Sequence, residues 1–195
     1  MSQLFINFLL PHFGTNNRYI WEFNFCDFDV ERDLHNSNSI NLLRRQGIDF
    51  ERNVFHGVNS FYFGEMLLRS GLLFNESVVW VTFHSCYDFG YLVKILTRRN
   101  LPHRLEDFLN VLKFYFGNKI YDIKHMIRYC NGLYGGLEQV ASTLKLSRAI
   151  GKCHQAGSDS LLTRQTFQRM VQLYFPTMNE IKKHAGILFG LEISV

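Results

Sequence analysis

The chain has 195 residues, of which 47% are hydrophobic and 15% aromatic. That is enough apolar surface for one domain with a buried core, and it argues against disorder. The formal net charge of +4 permits an anionic partner without requiring one, and Cys26, Cys86, Cys130 and Cys153 form no C-x-x-C pair, which argues against a zinc site or a disulfide framework.

The first ten residues are apolar but carry no basic flank and no small-residue cleavage site, so they do not read as a signal peptide. No apolar run is long enough to cross a bilayer, and no membrane partner is expected. Alternation through Leu4, Ile6 and Phe8 predicts a strand. Pro11 to Arg18 has turn chemistry, and Tyr19 to Phe25 predicts a second strand, so the pair reads as a hairpin. Ser39 to Gln46 and Val58 to Ser70 have helical spacing; Asn38 or Ser39 is the expected cap of the first, and Gly71 ends the second. Val78 to Phe83 predicts a buried strand running parallel to its neighbour. Helices are expected at Asp88 to Arg98 and Leu105 to Tyr115, then a short strand at Lys119 to Ile123. Further helices are expected at Lys124 to Tyr129 and Leu137 to Leu144. Ser158 to Tyr174 is the longest predicted helix, with Ser158 as its N-cap and Pro176 beyond its end. Ile187 to Leu191 suits a last short strand or turn. The order implies an α/β or α+β layout with a mixed sheet, in a single domain over residues 1–195, without repeats or linkers.

Two segments could carry chemistry. In the first, Val78 to Leu92, a strand delivers the chain to Asp88. Sites in open α/β sheets form outside the carboxyl ends of strands, and a carboxylate there suits a hard divalent cation. From these local features alone, the simpler reading is that Asp88 favours the helix N-terminus electrostatically. In the second, Cys153 to Thr163, His154 precedes the long helix and Asp159 lies in its first turn. A carboxylate binds metal, and a neutral imidazole accepts a proton from an attacking water. The alternative is a surface histidine beside a helix-capping Ser-Asp pair. His84 and Ser85 are placed to line the same cleft as Asp88, whereas Asp122 suits a cap on the helix that follows it. A Ser-His hydrolase lacks its third partner.

Phe83 to Leu92 reads F-H-S-C-Y-D-F-G-Y-L, and His154 to Thr163 reads H-Q-A-G-S-D-S-L-L-T. Together they resemble the Caf-type deadenylases, catalytic subunits of the CCR–NOT complex within the DEDDh exonucleases. Trp21-Glu22-Phe23-Asn24-Phe25, Tyr121-Asp122-Ile123-Lys124-His125 and Gly135-Gly136-Leu137 match as well, and several details look like plant members. The resemblance implies a ribonuclease H-like mixed sheet flanked by helices and removal of poly(A) from the 3′ end as 5′-AMP. It implies two divalent metals per site, magnesium or manganese, with Asp88 and Asp159 as metal ligands and His154 as general base. It also implies poly(A) RNA, the NOT scaffold subunit and a second deadenylase subunit as partners, in nucleus and cytoplasm. The helix Tyr62 to Arg69 matches the scaffold-contacting segment, with Leu68 on the contact face.

The family's first motif, F-D-x-E-F-P-G, has no counterpart in the sequence, so the central first strand and two metal-binding carboxylates are expected to be missing. Asp29-Val30-Glu31 and Asp49-Phe50-Glu51 contain D-x-E but are not followed by Phe-Pro-Gly, and they read as chance matches. Little or no activity is therefore expected of these 195 residues alone. The alternatives are an inactive relative that binds RNA or the scaffold, and a piece of a longer, active product.

Overall fold

The computed structural model describes residues 3–8, 19–149 and 156–192. They form two compact units, one of Met1–Ser60 with Arg148–Leu162, the other of Phe61–Ser147 with Thr163–Val195.

In the first unit, β1 (Gln3–Phe8) pairs antiparallel with β2 (Tyr19–Asn24), Gln3 opposite Asn24 and Phe8 opposite Tyr19. The expected hairpin strands are present; the expected turn, 11–18, lies outside the described residues. Phe25, buried, follows β2 and bridges to Val58. The approach depends on Gly57, where a Cβ would sit 2.5 Å from the Asn53 carbonyl oxygen and 2.7 Å from the Cys26 nitrogen. Helix α1 (Ser37–Arg45) starts earlier than expected, because Asn36 rather than Asn38 or Ser39 caps it and accepts from the Ser39 N–H at 3.2 Å. Helix α2 (Phe50–His56) was not foreseen. Its seven residues are too few to show a helical period, and its signal is the N-cap Asp49, which accepts from the Arg52 N–H at 2.8 Å.

The second unit holds α3 (Ser60–Arg69, counted from Phe61), β3 (Trp80–Thr82), α4 (Cys86–Thr97), α5 (Leu105–Phe116) and β4 (Ile120–Asp122). After these come α6 (Ile123–Met126) with a 3-10 turn at Ile127–Tyr129, α7 (Leu137–Thr143) and α9 (Met178–Lys182). Helix α8 (Ala156–Tyr174) starts in the first unit and ends in the second. Strands β3 and β4 run parallel, Trp80 opposite Ile120 and Thr82 opposite Asp122, and Tyr121 bridges to Ile187. Among the described residues the antiparallel pair and the parallel pair form separate two-stranded sheets. The expectation of a buried Val78–Phe83 strand needs correction: only residues 80–82 are strand, they are half-buried, and Val79 is exposed. Helix α9 was also missed. It is five residues long and stands on a capping box, Thr177 with Glu180.

Ile123, Met126, Val140 and Met170 are fully enclosed and centre the core of the second unit, with Tyr121, Leu133 and Phe175 around them. Helices α3 and α4 touch at Gly64, where a Cβ would lie 3.1 Å from Ile95 Cγ2.

Candidate active site

Strand β3 leads into a bend that ends in α4. His84 takes a left-handed backbone conformation (φ 59°), Ser85 is buried, and the helix begins at Cys86, two residues before Asp88. Cys86 therefore sits in helical geometry, and the positive φ of the bend falls on His84. Ser85 donates its hydroxyl to Thr82 Oγ1 at 2.7 Å, which turns it inward. His84 is exposed, and its ring meets Phe189 edge-on at 5.1 Å.

The bend is held by Asp122, the last residue of β4, which is fully buried. Its Oδ1 accepts from the His84 N–H at 2.7 Å and from the Lys124 N–H at 2.9 Å. Its Oδ2 accepts from Ser85 at 3.3 Å and Phe189 at 3.2 Å. Asp122 does cap α6, as its position implied, and it also gathers two other segments.

Asp88 is exposed in the first turn of α4. Protein packed around its carboxyl nevertheless raises its pKa above the ordinary aspartate value. Its own backbone N–H opposes the shift, the Asp122 charge adds to it, and His84 partly offsets it. Tyr87 and Tyr91 flank Asp88 on the same helix and are exposed. The sequence reading passed over both, although their i, i+4 spacing around the aspartate was visible.

In the first unit, Asp159 lies in the first turn of α8 with Arg148 Nη1 2.7 Å from its Oδ1. Ser158 is not the N-cap: the helix already includes Ala156, and the buried Ser158 hydroxyl accepts from Arg148 at 2.5 Å. His154 lies outside the described residues. Both D-x-E triplets are used locally. Asp29 accepts from the Glu31 N–H at 2.9 Å and pairs with Arg32 at 3.3 Å, Asp49 caps α2, and Glu51 pairs with Arg44. Leu68 is 37% exposed on α3, where Tyr62 and Met66 are exposed as well.

The donors fit a hard divalent cation in kind. Asp88 and Asp159 offer carboxylate oxygens, and a cation at Asp88 would offset the burial and like charge that disfavour its ionised form. Among the described residues, no group of three or more His, Cys, Asp or Glu side chains is gathered for a metal ion.

No protein-family model matches the chain. CCR4-associated factor 1 homolog 7 of Arabidopsis thaliana is 49% identical over 185 residues, 94% of this chain and 66% of that protein. The poly(A) ribonuclease pop2 of Schizosaccharomyces pombe is 43% identical over 155 residues, 80% of this chain and 45% of the relative. The chain thus spans somewhat less than two thirds of the first of these relatives and under half of the second. The solved structure of S. pombe Pop2p with Mg2+ and Mn2+ bound matches with a TM-score of 0.80 and 39% identity, covering 88% of this chain and 66% of that one. The RNase domain of yeast Pop2 matches with a TM-score of 0.76 and 32% identity, covering 90% and 67%. Yeast CAF1, crystallised with the NOT1 MIF4G domain, matches with a TM-score of 0.70 and 30% identity, covering 87% and 66%. The fold is thereby that of a ribonuclease domain of the ribonuclease H-like kind. The chain belongs to the CCR4-associated factor 1/Pop2 family.

Proposed function

We propose that the chain is a large part of a metal-dependent 3′→5′ exoribonuclease that shortens poly(A) tails within the CCR4–NOT assembly and releases 5′-AMP. The observation that carries this reading is the placement of Asp88 just beyond the carboxyl end of β3, in a fold that matches Pop2p with a TM-score of 0.80. Asp88 and Asp159 are the metal ligands in this reading, for a pair of magnesium or manganese ions. Bound there, divalent ions would supply charge compensation at the scissile phosphate and an acidified water. His154 would take the proton of that water as a neutral imidazole. In this reading His84 approaches the RNA, and the exposed rings of Tyr87 and Tyr91 offer stacking faces for bases. Leu68 on α3 is the proposed contact with the NOT scaffold, the reading supported by the match to CAF1 crystallised with NOT1. A second deadenylase subunit and both nucleus and cytoplasm complete the setting.

A binding-only role is the second reading. The sequence contains no F-D-x-E-F-P-G motif, and both of its D-x-E triplets are engaged locally. Two carboxylates leave much of the charge of two dications uncompensated, so trimming by these 195 residues alone should be weak or absent. The test is exonuclease activity on 5′-labelled oligo(A) with magnesium or manganese, with Asp159→Ala as control. Trimming that the control abolishes supports the enzyme and refutes the expectation of inactivity. A folded chain that binds oligo(A) or a NOT scaffold domain without trimming supports the binding-only role.

A further inference from the structure

We propose that Asp122 is a positioning residue: its buried carboxylate sets the bend at His84 and Ser85 and thereby fixes where α4 presents Asp88. The proposal rests on the reading of Asp88 as a metal ligand. A helix cap needs one acceptor and one or two donors. Asp122 instead accepts four backbone N–H groups from three separate segments. Two of them belong to the residues immediately before α4, and the bond to His84, at 2.7 Å, is the shortest of the four. His84 occupies a left-handed conformation that a residue with a Cβ seldom adopts unless its surroundings impose it. Two contacts impose it here, the carboxylate on its N–H and the Phe189 ring against its imidazole, and Phe189 donates its own N–H to the same carboxylate. The α6 cap contributes to the fold, while the bonds to the bend locate the first turn of α4, which carries Asp88.

Asp122→Ser separates the two roles. A serine still caps α6 through the Lys124 N–H, but its short side chain cannot serve the bend and Phe189 together. The Phe89 amide, bonded to the Ser85 carbonyl at 3.0 Å, reports whether the bend stays docked on α4. In the full chain, its hydrogen exchange should speed at least ten-fold more than that of Val93 and Leu96 further along the helix. Paramagnetic broadening of the Asp88 signals by added Mn2+ should need at least ten-fold more metal in Asp122→Ser than in the wild type, and Asp88→Ala should abolish specific Mn2+ binding. Equal acceleration along all of α4 would mean a general loss of stability and would overturn the proposal, as would unchanged Mn2+ affinity in a variant whose parent loses binding with Asp88→Ala. If Asp88→Ala leaves Mn2+ binding intact, the metal reading of Asp88 fails, and the Phe89 exchange decides the positioning role by itself. Should Asp122→Ser not fold, Asp122→Asn, which keeps the shape and loses the charge, is judged by the same two measurements.

Discussion

Asp88 sits where its ionised form is disfavoured, beside the Asp122 charge and with protein around its carboxyl. A carboxyl whose folded pKa is raised binds more protons in the native state than in the unfolded one, so its ionisation at neutral pH works against folding. Asp88→Asn should therefore raise the melting temperature of the metal-free protein at pH 7, as functional sites often trade stability for chemistry. Added Mn2+ should raise the melting temperature of the wild type and leave the variant unmoved; a variant that melts lower than the wild type in chelator would refute this account. Asp159 differs, because Arg148 already compensates its charge. The type and place of both aspartates were legible from their motifs. The four bonds to Asp122 were not, since its donors come from residues 84, 85, 124 and 189 and only the bond to Lys124 is local.

At the scale of elements, the long periodic segments declared themselves: α5 ends one residue beyond its expected end, and α4 starts only two residues early. The misses, α2 and α9, are seven and five residues long and are stabilised by caps. Asp49 drew notice as part of a D-x-E triplet, and its capping role was the better physical reading. The contact of α3 with α4 is set by a missing side chain. At Gly64 a Cβ would meet Ile95 Cγ2 at 3.1 Å and the Ile95 carbonyl oxygen at 3.3 Å, so the backbone of α4 blocks anything larger. Gly64→Leu should cost about 1–3 kcal/mol, the range for overpacking, measured by urea unfolding. A loss below about 0.5 kcal/mol would show that the two helices separate without penalty.

At the scale of the whole molecule, the residues after α9 are held in the second unit by titratable groups. The His125 and His184 rings share a 3.3 Å hydrogen bond, and Glu192 lies 3.6 Å from the other nitrogen of His125 and 3.0 Å from Arg128. Burial lowers the His184 pKa, and His125 and Lys183 push the same way. Burial alone would raise the Glu192 pKa, but its own N–H, that of Gly190, His125 and Arg128 outweigh it and hold the group below its ordinary value. Both signs agree. The unfolded chain binds more protons at His184 as pH falls below about 6.5, and at Glu192 below about 4.3, so stability is lost on acidification. The melting temperature should begin to fall near pH 6.5, and His184→Phe should flatten that first part of the curve; identical curves for the two proteins would exclude His184 as the cause.

The sequence by itself determined the family, the places of Asp88 and Asp159 near the starts of their helices and most of the helices, because motif spacing and the helical period are local properties of the chain. Only the tertiary structure decided that Ser158 takes a bond from Arg148 instead of capping, that β3 is half-buried, and that His84 takes a left-handed backbone. Each of these is set by a partner brought close in space, at residues 148, 120–122 and 189, which no local pattern encodes.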